Sequence, residues 1–389
     1  MISVEEALDR IFSLVTPLST ESVPLRQAAG RVLAAPVTAA VDQPPFAASI
    51  MDGYAICDHA SAGDSFQVVG ESAAGERFIG NLGTGQAVRI FTGAPVPDGA
   101  IRVVIQEDVL REGSRITLLD EADQSPYIRP AGADFKAGEA IEAPLVITPS
   151  HVALFASMNA SHVTVACRPD VAIIATGDEL VQPGEMPRPD QIIASNALGL
   201  AAMLEGVGAT PRLLPIAADT TEALHSAFDL AEGADLVITI GGASVGDRDL
   251  VAQVAIERGA EMALHRVAMR PGKPLMAGMV GGAVMIGLPG NPVSSMVCGH
   301  IFILPALRKM LGLPAVATPR KRATLGKAMP PNGPREHYLR AHREGTTVTP
   351  YERQDSALLS VLAAANALIV RPPSAEAAAK GSPVEIVDL

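Results

Sequence analysis

"ADLVITIGGASVGDRDLVAQVAIERGA", residues 234–260, decides the fold. A β-branched apolar run, Leu236–Ile240, gives way to paired glycines and then to apolar residues at helical spacing. Strand, glycine turn and helix in that order make the unit of an α/β sheet. Such a turn offers backbone N–H groups to an oxyanion, with the helix N-terminus aimed at it, and Gly241, Gly242 and Gly246 suit that role. Two carboxylates, Asp247 and Asp249, share the turn and should repel a phosphate. A divalent cation resolves the conflict, because Mg²⁺ binds one or two carboxylates together with water and phosphate oxygens. Asp249 can equally serve as the helix N-cap.

The same alternation extends from residue 169 to about 313 and predicts a parallel sheet covered on both faces. "DVAIIAT", "PRLLPIA", "DLVITI", "HRVAM" and "PLMAG" read as strands, and "NPVSSMVCGHIFILPALRKML" reads as one long closing helix. Ligands of such sheets bind beyond the C-terminal strand ends. Three loops fall there: "ATGDELV" (175–181), the glycine turn, and "RPGKP" (270–274) with "GLPGNPVSS" (287–295). They bring acids (Asp178, Glu179, Asp247, Asp249) and bases (Arg266, Arg270, Lys273) to one edge, with Asp219 or Thr220 capping the helix after "PRLLPIA".

Common nucleotide signatures fail. No G-x-G-x-x-G follows a strand, and "PGKP" lacks the upstream glycine and the Ser/Thr of a P-loop. "GASVG" formally matches a hydrolase elbow around Ser244, but acids follow it and no downstream histidine stands out as its base.

Outside this region, "SVEEALDRIFSLV" (3–15) is an amphipathic helix with an S-x-x-E capping box formed by Ser3 and Glu6. Short strands and turns fill the stretch to 138; helical "TPSHVALFASM" (148–158) and strand-like "HVTVAC" (162–167) then return to pack beside the first helix. The expected domains are a discontinuous N-terminal domain (1–42 and 139–168), a β-rich insert (43–138), an α/β domain (169–318) and a small C-terminal β domain (319–389). A formal charge of −12 argues against nucleic-acid binding. Cys57, Cys167 and Cys298 form no C-x-x-C pair, so neither a disulfide framework nor a zinc site is expected. No apolar run of about 18 residues offers a membrane span, and the acidic N-terminus is unlike a signal peptide. A cytoplasmic location is the expectation.

Six loops in order, "SIMDGYA", "FTGAPVPDGA", "ATGDEL", "GGASVGDRD", "RPGKP" and "GLPGNPVS", resemble the molybdopterin molybdenumtransferase family, called MoeA and also seen as the gephyrin E domain. The resemblance covers nearly the whole chain. "TGDEL", "GGASVGDRD" and "GLPGNP" are shared with molybdopterin-binding domains generally, while "SIMDGYA" and "FTGAPVP" point to this family. It implies insertion of molybdenum into adenylylated molybdopterin, with molybdate as donor, Mg²⁺ as cofactor and AMP released. It implies a homodimer whose cleft joins the α/β domain of one subunit to the first half of the other. Molybdopterin adenylyltransferase and molybdoenzyme maturation factors are the implied partners. By matched motif, Asp52, Thr92, Glu179 and Asp249 become the catalytic candidates, and Glu179 and Asp249 the metal ligands. Substrate-binding candidates are Asp134, Asp219, Gly241, Gly242, Ser244, Gly246, Arg266, Arg270, Lys273, Pro289, Pro292, Ser294, Arg340 and Ser356. The family commonly carries Lys where this chain has Arg266 and Arg270, and "GSH" where it has "DSA" around Ser356. Arg keeps the charge but binds oxyanions as a planar fork. A molybdopterin-binding scaffold without metal insertion, or an adenylyltransferase, are the competing functions; the extra N-terminal and C-terminal segments argue against the latter.

Overall fold

The alternation after residue 169 folds into one sheet, in the order Thr210–Leu213, Asp170–Ala175, Leu236–Ile240, Ala283–Leu288, Met276–Val280, Glu261–Leu264. The computed structural model describes residues 1–242 and 250–389, so Ser244, Gly246, Asp247 and Asp249 lie outside the described residues. The first four strands of the sheet run parallel, Met276–Val280 runs against them, and Glu261–Leu264, antiparallel to Met276–Val280, returns to their direction. The expected parallel sheet therefore carries one reversed strand. Gly281 and Gly282, both left-handed (φ 56° and 86°), make a two-residue hairpin that reverses the chain with no room for a crossover helix.

Both faces of the sheet are buried. Val171, Ile173, Ile238 and Ile286 join one core, while their neighbours Ala172, Ile174, Val237 and Met285 join the other. This is why the strands read as unbroken apolar runs rather than alternating ones. The helix Val4–Leu14 lays Val4, Ala7, Leu8 and Ile11 into the first of these cores, beside Val267, Leu275 and Leu307. Its apolar stripe thus completes the α/β core. The capping box is half formed. Ser3 Oγ accepts from Glu6 N at 3.0 Å, but the Glu6 carboxylate accepts from Arg10 Nη2 at 2.6 Å instead of reaching back.

The long closing helix is also interrupted. Pro292–Cys298 passes through a π turn, Gly299–Ile303, into Leu304–Met310. Pro305 has no N–H for a bond four residues back, and its ring crowds the carbonyl there, so the ladder widens.

The C-terminal strands Lys321–Leu325, Glu336–Glu344, Thr347–Pro350, Ala367–Arg371 and Pro383–Asp388 close into a small β-barrel, because Glu336–Glu344 pairs with both Thr347–Pro350 and Ala367–Arg371. The short strand Met269–Arg270 from the α/β domain adds to it in parallel, Arg270 opposite His337. A helix, Leu359–Ala364, lies in a tail that the sequence suggests to be all strand and turn.

All of these elements belong to one compact unit (Met1–Glu21, Gly30–Ala34, Val165–Leu389); the other comprises Ser22–Ala29 and Ala35–Thr164. The second unit holds the helix Pro149–Ser157 and a six-stranded sheet in the order Arg102–Ile105, Gly53–Ile56, Gln86–Ile90, Ser65–Ser72, Arg115–Leu118, Val109–Glu112. No helix among the described residues is long and apolar enough to cross a membrane.

Candidate active site

The C-terminal strand ends of the α/β domain border a crevice of about 690 Å³. Thr176, Glu179, Gly242, Lys273, Pro289 and Pro292 line it, together with Asn196 and Asn291. Hydrogen bonds between neighbouring strand ends set its floor: Thr176 N donates to Ile240 O (3.0 Å) and Gly241 N to Leu288 O (3.1 Å). Gly241 has φ 97°, and a Cβ there would lie 2.6 Å from the Thr176 carbonyl oxygen. Only glycine fits that crossing.

Asp219 is freed from capping, because Thr220 accepts from Ala223 N (3.2 Å) and is the N-cap of the helix Thr221–Leu230. Asp219 Oδ1 instead accepts from Thr176 Oγ1 at 2.7 Å, and Asp219 N donates to Asp178 Oδ1 at 3.1 Å. Asp178 and Asp219 are thereby tied to the same strand end that presents Glu179. On the opposite wall, Ser295 Oγ donates to Pro289 O (2.6 Å) and Asn196 Nδ2 to Gly290 O (2.7 Å), fixing the "GLPGNP" loop. Asn196 is a structural contributor that no charge or motif signal marks.

A second cavity of about 360 Å³ shares Lys273, Pro274, Pro289 and Asn291 with the first. Arg270, Ser294, Arg335, Asp355 and Ser356 complete its wall. Val293 N donates to Ser356 O (3.1 Å), which joins the barrel loop to the helix Pro292–Cys298. Three cationic side chains, Arg270, Lys273 and Arg335, against one carboxylate, Asp355, make this a basic recess whose charge suits an oxyanion.

Arg335 is absent from the sequence-based candidates, whereas Arg340, which is among them, lies in neither cavity's lining. Arg340 is fully buried, with Nη2 donating to Asp355 O at 2.9 Å. Arg266 is exposed and also lines neither cavity. Around Arg270 the charges crowd: burial, then Arg270, Arg340, Arg335 and Arg371, push His337 down to a pKa of about 4. His337 is therefore neutral at physiological pH.

In the other unit Asp52 and Thr92, forty residues apart in sequence, meet. Asp52 Oδ1 accepts from Thr92 N (2.7 Å) and Thr92 Oγ1 (2.8 Å). The Thr92 backbone bond, then its side-chain bond, and the charge of Arg89 hold the carboxyl below its ordinary pKa. Arg89 itself sits over the Tyr54 and Phe91 rings at 5.0 and 4.7 Å from their centroids. Asp134 is exposed on the same unit, its N–H donating to Gln43 O at 2.9 Å.

As for a metal, the larger crevice offers oxygen donors and neither thiol nor imidazole in its described lining. That donor chemistry suits Mg²⁺. Among the described residues no group of three or more His, Cys, Asp or Glu side chains is arranged to hold a metal.

A mixed sheet with a glycine turn, an acidic loop and a crevice at its parallel strand ends is the architecture matched over residues 172–309 by a family model described as a probable molybdopterin binding domain. Residues 2–159 match the MoeA N-terminal region (domain I and II), and residues 322–389 the MoeA C-terminal region (domain IV). The chain belongs to the MoeA family, and it is a transferase of molybdenum cofactor biosynthesis. It is 38% identical over 328 residues to the molybdopterin molybdenumtransferase of Nostoc sp., covering 80% of this chain and 75% of that one. It is 34% identical to molybdopterin molybdenumtransferase 2 of Mycobacterium tuberculosis, over the full length of both chains. The crystal structure of the molybdopterin biosynthesis MoeA protein from Pyrococcus horikoshii superposes with a TM-score of 0.85 at 28% identity, covering both chains completely.

Proposed function

We propose that the protein inserts molybdenum into adenylylated molybdopterin, taking molybdate as donor and releasing AMP. One observation carries the proposal: a crevice of about 690 Å³ and a basic recess of about 360 Å³ share the wall formed by Lys273, Pro274, Pro289 and Asn291. The larger space suits a pterin-bearing nucleotide ester, and the positive charge of the smaller suits a tetrahedral oxyanion. Lys273 lines both, so one cation can face the ester and the incoming oxyanion together.

In this scheme Gly241 and Gly242 bring backbone close to the diphosphate, and Arg270, Lys273 and Arg335 neutralise molybdate while it approaches the dithiolene sulfurs. Ser294 and Ser356 supply neutral hydroxyls to its oxygens. Hydrolysis of the diphosphate bond, in which water adds at phosphorus as AMP leaves, is assisted electrostatically by the charge already in place. Glu179 and Asp249 would hold Mg²⁺, which would supply charge neutralisation to the anionic substrate. The carboxylates of Asp178 and Asp219, anchored through Thr176, orient that acidic edge. We further propose a cytoplasmic homodimer in which Asp52 and Thr92 serve the reaction from the partner subunit.

The test is to incubate the purified protein with adenylylated molybdopterin, molybdate and Mg²⁺ and to follow AMP and metallated cofactor. Both products are expected in equal amounts. Absence of both refutes the transferase scheme, and AMP without metallated cofactor reduces the activity to hydrolysis.

A further inference from the structure

The middle of the strand Glu336–Glu344, Tyr338 to Ala341, is buried on both faces. Leu339 and Ala341 point into the barrel, whereas Tyr338 joins the core shared with the α/β domain. Arg340 has the parity of Tyr338, so a guanidinium with no solvent exposure sits on the strand's outward face, beneath the loop that walls the basic recess. Only one of its side-chain nitrogens is engaged there: Nη2 donates to Asp355 O, while Nε and Nη1 are buried without partners among the described residues. Holding a desolvated cation in this way is costly.

Gln354 completes the arrangement. Its Oε1 accepts from Arg340 N at 3.0 Å, and its Nε2 donates to Arg340 O (2.9 Å) and Tyr351 O (2.8 Å). Gln354 lines the recess, yet both amide hydrogens are spent on backbone carbonyls, so it has no donor left for a ligand. From the other side, Val293 N holds Ser356 O at 3.1 Å. The three residues Gln354, Asp355 and Ser356 are therefore strung between the strand Glu336–Glu344 and the helix Pro292–Cys298, with their inner faces forming the recess.

We propose that Arg340 and Gln354 act as a positioning clamp, which fixes the 354–356 loop and thereby sets the affinity and selectivity of the recess for a tetrahedral oxyanion without touching it. The inference rests on the proposed reaction for the identity of that oxyanion. It assigns Arg340 the task of shaping the wall, and leaves Arg335 to face the ligand.

The experiment compares Arg340→Met and Gln354→Leu with Arg371→Met. Arg371 is equally at home in the barrel, but its Nη2 caps the carbonyls of Pro330, Ala375 and Glu376, away from the loop. Molybdate affinity is read by calorimetry, and KM for molybdate, KM for adenylylated molybdopterin, kcat and Tm are measured in parallel. Arg340→Met and Gln354→Leu are expected to raise the Kd and KM for molybdate at least fivefold, with less than a twofold change in KM for the adenylylated substrate. Arg371→Met is expected to lower Tm and leave both KM values alone. Unchanged molybdate affinity in whichever of the two clamp variants folds, or an equal shift in Arg371→Met, overturns the clamp. Should the unaltered protein bind molybdate yet form no metallated product, the reaction scheme fails while the affinity comparison still decides the clamp.

Discussion

Replacing Gly241 by Ala tests the crevice floor directly. The position has φ 97°, and the added methyl would lie 2.6 Å from the Thr176 carbonyl oxygen and 3.2 Å from Thr176 Cγ2. Two costs combine. An L-residue in the left-handed region loses roughly 1–2 kcal/mol relative to glycine, and forcing a methyl against packed backbone costs about 1–3 kcal/mol more. Gly233 separates them: its φ is 80°, but a Cβ there meets nothing within 4 Å, so Gly233→Ala carries the first cost alone. The difference between the two variants, roughly 1–3 kcal/mol, therefore measures the close approach at the strand crossing. Urea unfolding monitored by circular dichroism would report it, alongside AMP-release kinetics. Because Thr176 also carries Asp219 through its hydroxyl, any displacement of Thr176 moves the acidic edge. Gly241→Ala should thus lose activity beyond its stability loss, whereas Gly233→Ala should not. Equal stabilities for the two variants, or full turnover in Gly241→Ala, would show that the strand ends are free to adjust and that the floor is not fixed as argued.

Two further outcomes are expected. Asp52→Asn should lower AMP release at least tenfold with Tm nearly unchanged, since Asp52 is only half-buried, Thr92 is exposed, and their hydrogen bonds organise a carboxylate at the edge of the fold rather than a core; retained turnover would make the pair a turn stabiliser. His337, depressed to about 4 in the fold, binds its proton more readily in the unfolded chain, so its contribution to stability is complete above pH 6.5 and is lost as pH falls toward 4. His337→Gln should flatten that part of a stability–pH profile, and an unaltered slope between pH 6.5 and 4 would place the responsible group elsewhere.

What was legible in the sequence followed local rules. Strand, glycine turn and helix follow from apolar periodicity, and the buried strands declare themselves because both sheet faces are covered. The departures arise where a short signal competed with a longer pattern. "VGGA" (280–283) is a hairpin turn inside what looks like another βα repeat, and Pro305 opens a π turn inside an otherwise continuous helical run. The N-terminal helix shows its amphipathic face in sequence, but amphipathicity names no partner, and the α/β core proved to be the surface it covers. The approach of Asp52 to Thr92 is a tertiary event, which no spacing rule contains; only the resemblance placed both on one list.

Arg335 and Arg340 of the C-terminal domain show where a family motif meets geometry. "REHYLRA" carries Arg335 and Arg340, and both are basic residues near a strand. Their separation is five, an odd number, and Arg335 lies just before the strand Glu336–Glu344 while Arg340 lies within it. A residue before the strand's first pairing can aim at a loop-lined recess. One in the part of a strand buried on both faces has its direction fixed by the pleat, and for Arg340 that direction leads beneath the wall and not through it. The useful cation is the one whose backbone is still free to aim it. In this fold the neighbouring buried cation is better suited to holding the loop that completes the recess than to meeting the ligand.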